Sequence, residues 1–337
     1  MLRLLMATLF AVVAARAQSP RRHVAAAAMA ILADCQDATN NLEFDRAEAL
    51  AQRAIALEPE DPLPRVFLQM AILARLQESI AAGEDNAALF ERFRLESEAA
   101  LLLARKWGLE NPGARSQLYL GSSLGASGMA KMLNGQYLKA YHDGQAASES
   151  LRLAVASDPT LYDAYLGLGQ YDYYCGRMGG LLRFVASLHG DVKGGIAMLE
   201  TCGGQGGIAA IAARIALARI YSLEETDYAK ALPYVSEMRQ RYPLNYAFVY
   251  DALALARGGG LDKPEDQALL ESVFSQWDSG WRPPAYAHLK VELSRLELAR
   301  AYHLEGLNEK AEAHFRSLSR SIDVAFSKAG LKGLAAP

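Results

Sequence analysis

The chain is poor in the residues that build chemical centres. Three cysteines in 337 residues, with no C-x-x-C, suggest neither a zinc knuckle nor a redox pair. Six histidines stand scattered at 23, 142, 189, 288, 303 and 314, with no H-E-x-x-H, so no metal site and no cofactor is expected. A net charge of −3 with both signs interspersed leaves no basic stripe, which excludes a nucleic-acid surface. Beyond the N-terminus no apolar run reaches the ~18 residues that a membrane span needs. Pro/Ser linkers and charge blocks are also missing, so residues 18–337 are read as one domain.

What is abundant is alanine and leucine, with β-branched residues seldom clustered, and this favours an all-α chain. Its most informative pattern recurs. Ala47, Ala54 and Pro59 in one segment, and Ala147, Ala154 and Pro159 in another, place two small residues on one helix face and a proline just beyond its end. Residues seven apart share a face because about 3.6 make a turn, and proline stops the helix by lacking the N–H. Such helices pack closely against a neighbour, and stacked pairs are the natural arrangement.

Residues 1–17 differ from the rest. Arg3 gives a positive start, Leu4 to Ala15 are apolar, and Ala15-Arg16-Ala17 forms an A-x-A cleavage site. This reads as a secretory signal peptide, placing a chain that begins near Gln18 in the periplasm or outside the cell. Export permits disulfides; Cys175 and Cys202 lie near the ends of consecutive helical segments and are candidates for pairing, buried thiols being the other reading.

Turn signals divide the remainder into about seven antiparallel pairs. The expected helices are 23–39 with 44–57, 62–81 with 87–107, 114–133 with 136–157, 162–176 with 195–202, 208–223 with 228–241, 246–257 with 265–277, and 285–304 with 308–321, followed by an apolar tail. Gly176 to Gly190 interrupts the fourth pair with a short apolar segment, read as a structural insert.

Tyr165, Leu168 and Gly169 follow Pro159 as aromatic-x-x-Leu-Gly, and Leu298, Ala299, Tyr302, Gly306, Ala311 and Phe315 fit one complete unit in the last pair. These residues resemble the tetratricopeptide repeat family, whose unit is a helix-turn-helix of about 34 residues. The resemblance is specific in the first, third-to-fourth and seventh pairs and loose in the second and sixth. It implies a right-handed α-solenoid whose first helices line a concave groove. By that carry-over the groove carries Asp163, Leu166, Gln170 and Tyr173, with Arg300 and His303 in the last unit, and holds an extended protein segment. The Lys/Asn set of the family's carboxylate-clamp branch is missing, which disfavours capture of a chaperone C-terminus.

Two motifs that suggest catalysis fail on context. Gly204-Gln205-Gly206-Gly207-Ile208-Ala209 has the G-x-G-x-x-A spacing of a dinucleotide site, but helices flank it where strands are required. The run GSSLGASG at 121–128 lacks G-x-S-x-G and reads as close helix packing. The expected function is therefore non-catalytic binding of a protein or peptide. A small-ligand carrier, with an apolar pocket beneath the 176–190 insert lined by Tyr173 and Phe184, is the alternative, and an enzyme with a site between repeats a more distant one.

Overall fold

In the computed structural model, residues 25–81, 84–177, 190–242, 245, 264–280, 288–321 and 324–335 are described. The proposed signal peptide, most of the 176–190 insert and the helix expected at 246–257 lie outside them. The helices are α1 (Ala26–Asn40), α2 (Phe44–Leu57), α3 (Leu63–Ala81), α4 (Ala87–Glu110), α5 (Ala114–Leu133), α6 (Tyr137–Ser157), α7 (Ala164–Arg177) and α8 (Val192–Gln205). They continue with α9 (Ala210–Arg219), a π-helical turn at Ile220–Glu224, α10 (Tyr228–Arg241), α11 (Pro264–Asp278), α12 (His288–Leu304), α13 (Asn308–Leu318) and α14 (Val324–Leu334). Among the described residues there is no strand.

Consecutive helices pack as hairpins, most extensively α5 on α6 and α7 on α8. The small residues that marked the pattern are in the contacts: Ala47, Ala54 and Ala154 are fully buried and Ala147 nearly so. At the crossing of α7 and α8 the backbones nearly touch, since a Cβ on Gly195 would lie 2.6 Å from the Tyr173 nitrogen and 2.7 Å from the Gly169 oxygen. Only glycine allows that approach. Gly135, between α5 and α6, takes φ +69°, the left-handed turn that the Asn134-Gly135 pair predicts.

Three boundaries differ from expectation for local reasons. Helix α4 runs on to Glu110 and ends where both the backbone N–H and the side-chain amide of Asn111 donate to the Trp107 carbonyl. Helix α8 is longer than expected, beginning at Val192. The apolar tail forms α14, packed on α12 and α13 with Gly330 buried against the end of α13.

Successive first helices also touch: α1 with α3, α3 with α5, α5 with α7, and α7 with α9. Among the described residues the second helices lack comparable contacts with one another. The array then returns to its start. Asp37, near the end of α1, accepts hydrogen bonds from Tyr242 Oη at 2.6 Å and Arg241 Nη2 at 3.1 Å, and the Asn245 amide donates to the Asn40 carbonyl at 2.6 Å. Leu42 and Phe44 accordingly share one apolar core with Tyr173, Leu199, Leu217 and Tyr302.

Candidate partner-binding groove

In a curved double layer, the helices that touch their like neighbours occupy the shorter arc. The first helices α1, α3, α5, α7 and α9 meet that condition, and their second helices cover the opposite side. Side chains exposed on the first helices are the candidates for an inner face. They include Met70 and Gln77 on α3, Met129 and Met132 on α5, Gln170, Tyr174 and Arg177 on α7, Asp34 on α1 and Arg219 on α9.

The α7 stripe follows a spacing of four and then three residues, which keeps one helix face turned outward. Gln170 is on it. Tyr173 is not: it is fully buried and donates its hydroxyl to Glu225 Oε1 at 2.7 Å, while Arg177 reaches the same carboxylate oxygen at 2.7 Å and lies over the Tyr173 ring. The assignment of Tyr173 to the groove is corrected accordingly. One position along a helix is a rotation of about 100°, enough to exchange core for surface, and Tyr174 is the tyrosine that faces out, 46% exposed. Burial, reinforced by the Glu225 hydrogen bond, raises the Tyr173 hydroxyl well above the usual phenol range and keeps it a donor.

Asp163, just before α7, also has a structural task. Its carboxylate accepts the backbone N–H groups of Gly207 at 2.7 Å and Ala209 at 3.1 Å, ordering the glycine-rich turn that leads into α9. The G-x-G-x-x-A motif is thus an inter-helix turn whose donors face a carboxylate of the same chain. Leu166 is half-buried against the central core. Arg300 is exposed on α12 and pairs with Glu297 at 3.0 Å, and His303 is half-buried one turn on. No hydrogen bond or ion pair among the described residues joins this second set to the first. Sequence reading missed the three methionines, whose exposure depends on which side of α3 and α5 the second helices cover.

A cleft of about 470 Å³ lies farther along, between α11, α12 and α13. Arg295, 4% exposed, binds Asp278 through both amino groups at 2.7 and 3.2 Å and stacks over Phe274 at 4.7 Å. His314 is buried, with Nε2 3.1 Å from Glu271 Oε1. Its ring stacks on Tyr302 and meets Phe274 edge-on. Burial pushes the Glu271 carboxyl up, but hydrogen bonding and charge from His314 outweigh this and hold it below the ordinary carboxylate value. Nε2 is engaged by Glu271, and Nδ1 is buried without a hydrogen-bond partner.

All three cysteines are buried and none forms a disulfide, so Cys175 and Cys202 are not bonded to each other. Burial raises Cys35 and Cys202 to about 12, which leaves them protonated and inert. Among the described residues no group of three or more His, Cys, Asp or Glu side chains is arranged to hold a metal, and no helix is long and apolar enough to cross a membrane. No family model matches the chain, and a search of curated proteins finds no match.

Proposed function

We propose that this protein is an exported, non-catalytic scaffold, a right-handed tetratricopeptide-like α-solenoid that binds an extended segment of a partner protein along its inner face. The observation that carries this reading is what the first helices expose, apolar Met70, Met129, Met132 and Tyr174 together with the amide of Gln170 and the charge of Arg177. Methionines adapt to irregular apolar surfaces, and a tyrosine anchors a contact at small entropic cost. Side-chain amides suit the unpaired N–H and C=O groups of an extended chain. Export to the periplasm or the exterior rests on the n-region, h-region and A-x-A site of residues 1–17.

The test is capture from native envelope extract by the purified protein, beside a Gln170→Ala/Tyr174→Ala double variant with unchanged helical circular dichroism. A protein retained by the parent and lost with the variant is the expected outcome. Retention indifferent to the double substitution, or no retention, overturns the groove. N-terminal sequencing of the exported chain checks the other half of the reading, with Gln18 as the expected first residue.

A further inference from the structure

Helix α4 is the longest among the described residues, 24 against the 14 of α2, and its outward face bears Leu95, Leu102 and Leu109, which are 53%, 72% and 86% exposed. Residues seven apart fall within about 20° of one line, so the three leucines form a single apolar seam with about 10 Å between members. Charges flank it unevenly. Glu91 and Glu98 border the N-terminal half, whereas Arg105 and Lys106 border the C-terminal half.

We propose that this seam is the interface of a homodimer in which two copies of α4 pack antiparallel about a two-fold axis at Leu102. With that centre, Leu95 of one copy lies against Leu109 of the other and the two Leu102 side chains meet on the axis. Glu98 of each copy then falls at the level of Arg105 and Lys106 of the other, opposite charges on both sides of the axis. A parallel pairing sets Glu98 against Glu98 and Lys106 against Lys106, so the charge pattern selects the antiparallel one. An isologous contact requires a surface complementary to itself, and the mirrored order of these six residues supplies it.

The existing pairs of these groups, Glu98 with Arg94 at 2.6 Å and Lys106 with Glu60 at 3.1 Å, are solvent-exposed and exchange at little cost. The seam lies on a second helix, away from the inner face, so dimerisation leaves the groove open and stands independently of the proposed function.

Sedimentation equilibrium of the purified protein tests this directly. The expected result is a reversible monomer–dimer equilibrium that Leu102→Glu, present twice at the axis, weakens by about a hundredfold without loss of helical signal. Glu98→Lys alone and Arg105→Glu/Lys106→Glu together each weaken self-association, and an equimolar mixture of those two variants restores a dimer, because each then carries the charges that the other lacks. A parent that stays monomeric up to about 100 μM overturns the proposal, leaving the seam to a different protein or a lipid surface. A dimer indifferent to Leu102→Glu, or a mixture that fails to recover, overturns it as well.

Discussion

The two ends of this array are closed by different physics. From α3 to α8 the helices meet through small residues and a neutral hydrogen-bond network, and the ion pairs among them, Arg65–Glu96, Lys131–Asp143 and Arg152–Asp172, keep their cations at least 31% exposed. Gln69 donates to Ser97 Oγ at 2.9 Å and to the Ser123 carbonyl at 3.0 Å, and accepts from Ser123 Oγ at 2.9 Å, tying α3, α4 and α5 with no net charge. From α11 to α13 a buried guanidinium and a buried imidazole lie against Phe274 and Tyr302 and pair with two part-exposed carboxylates. The same hairpin architecture can thus be sealed by shape, which tolerates no added volume, or by charge, which tolerates no lost partner.

Substitutions that exchange these sensitivities should separate the regions. The largest effect is expected from Gly195→Val: its Cβ would press on backbone atoms of α7, which have no rotamer to yield, and the cost should be about 3 kcal/mol or more by urea unfolding. A cost below about 1 kcal/mol would mean that the α7–α8 contact is looser than described. In the other region, Asp278→Asn should cost about 2 kcal/mol, because it strands the buried Arg295, less than a fully buried pair would lose since Asp278 is half exposed. Arg295→Met should cost less than Asp278→Asn, as it removes the charge that needed compensation, and the reverse order would show that the stack on Phe274 rather than the ion pair holds the cleft.

The smallest effect is a pH dependence. Because Glu271 is held below its unfolded value of 4.5, its contribution to stability is fully present above that pH and is lost as pH falls through the lower folded value. Melting temperature should therefore drop more steeply below pH 4.5 in the parent than in Glu271→Gln. Identical acid limbs would remove Glu271 from the account.

How far the sequence reached follows the same division. The shape-closed region was readable because small residues at helical spacing carry both periodicity and contact, and Ala47, Ala54, Ala147 and Ala154 are all buried where that spacing placed them. The last pair was readable for its apolar members, Leu298, Ala299, Tyr302, Ala311 and Phe315, again all buried. Its charges were not, since His314 meets Glu271 across 43 residues and no local pattern encodes that meeting. On α7, Gln170 is exposed and Tyr173 is not, because two adjacent tyrosines look alike in a sequence and contacts far along the chain, with the central core and Glu225, mark which is buried. The bond of Asp163 to the turn at Gly207 has the same character, spanning 44 residues.

The hydrogen bonds from Arg241 and Tyr242 to Asp37 join residues 204 and 205 positions apart, and they alter how the chain unfolds. A stack of repeats with neighbour contacts alone behaves as a one-dimensional chain, free to fray from either end a unit at a time. A bond between the first and fifth hairpins adds a term that no nearest-neighbour scheme contains. The N-terminal hairpin then cannot peel away without also breaking its hold on α10.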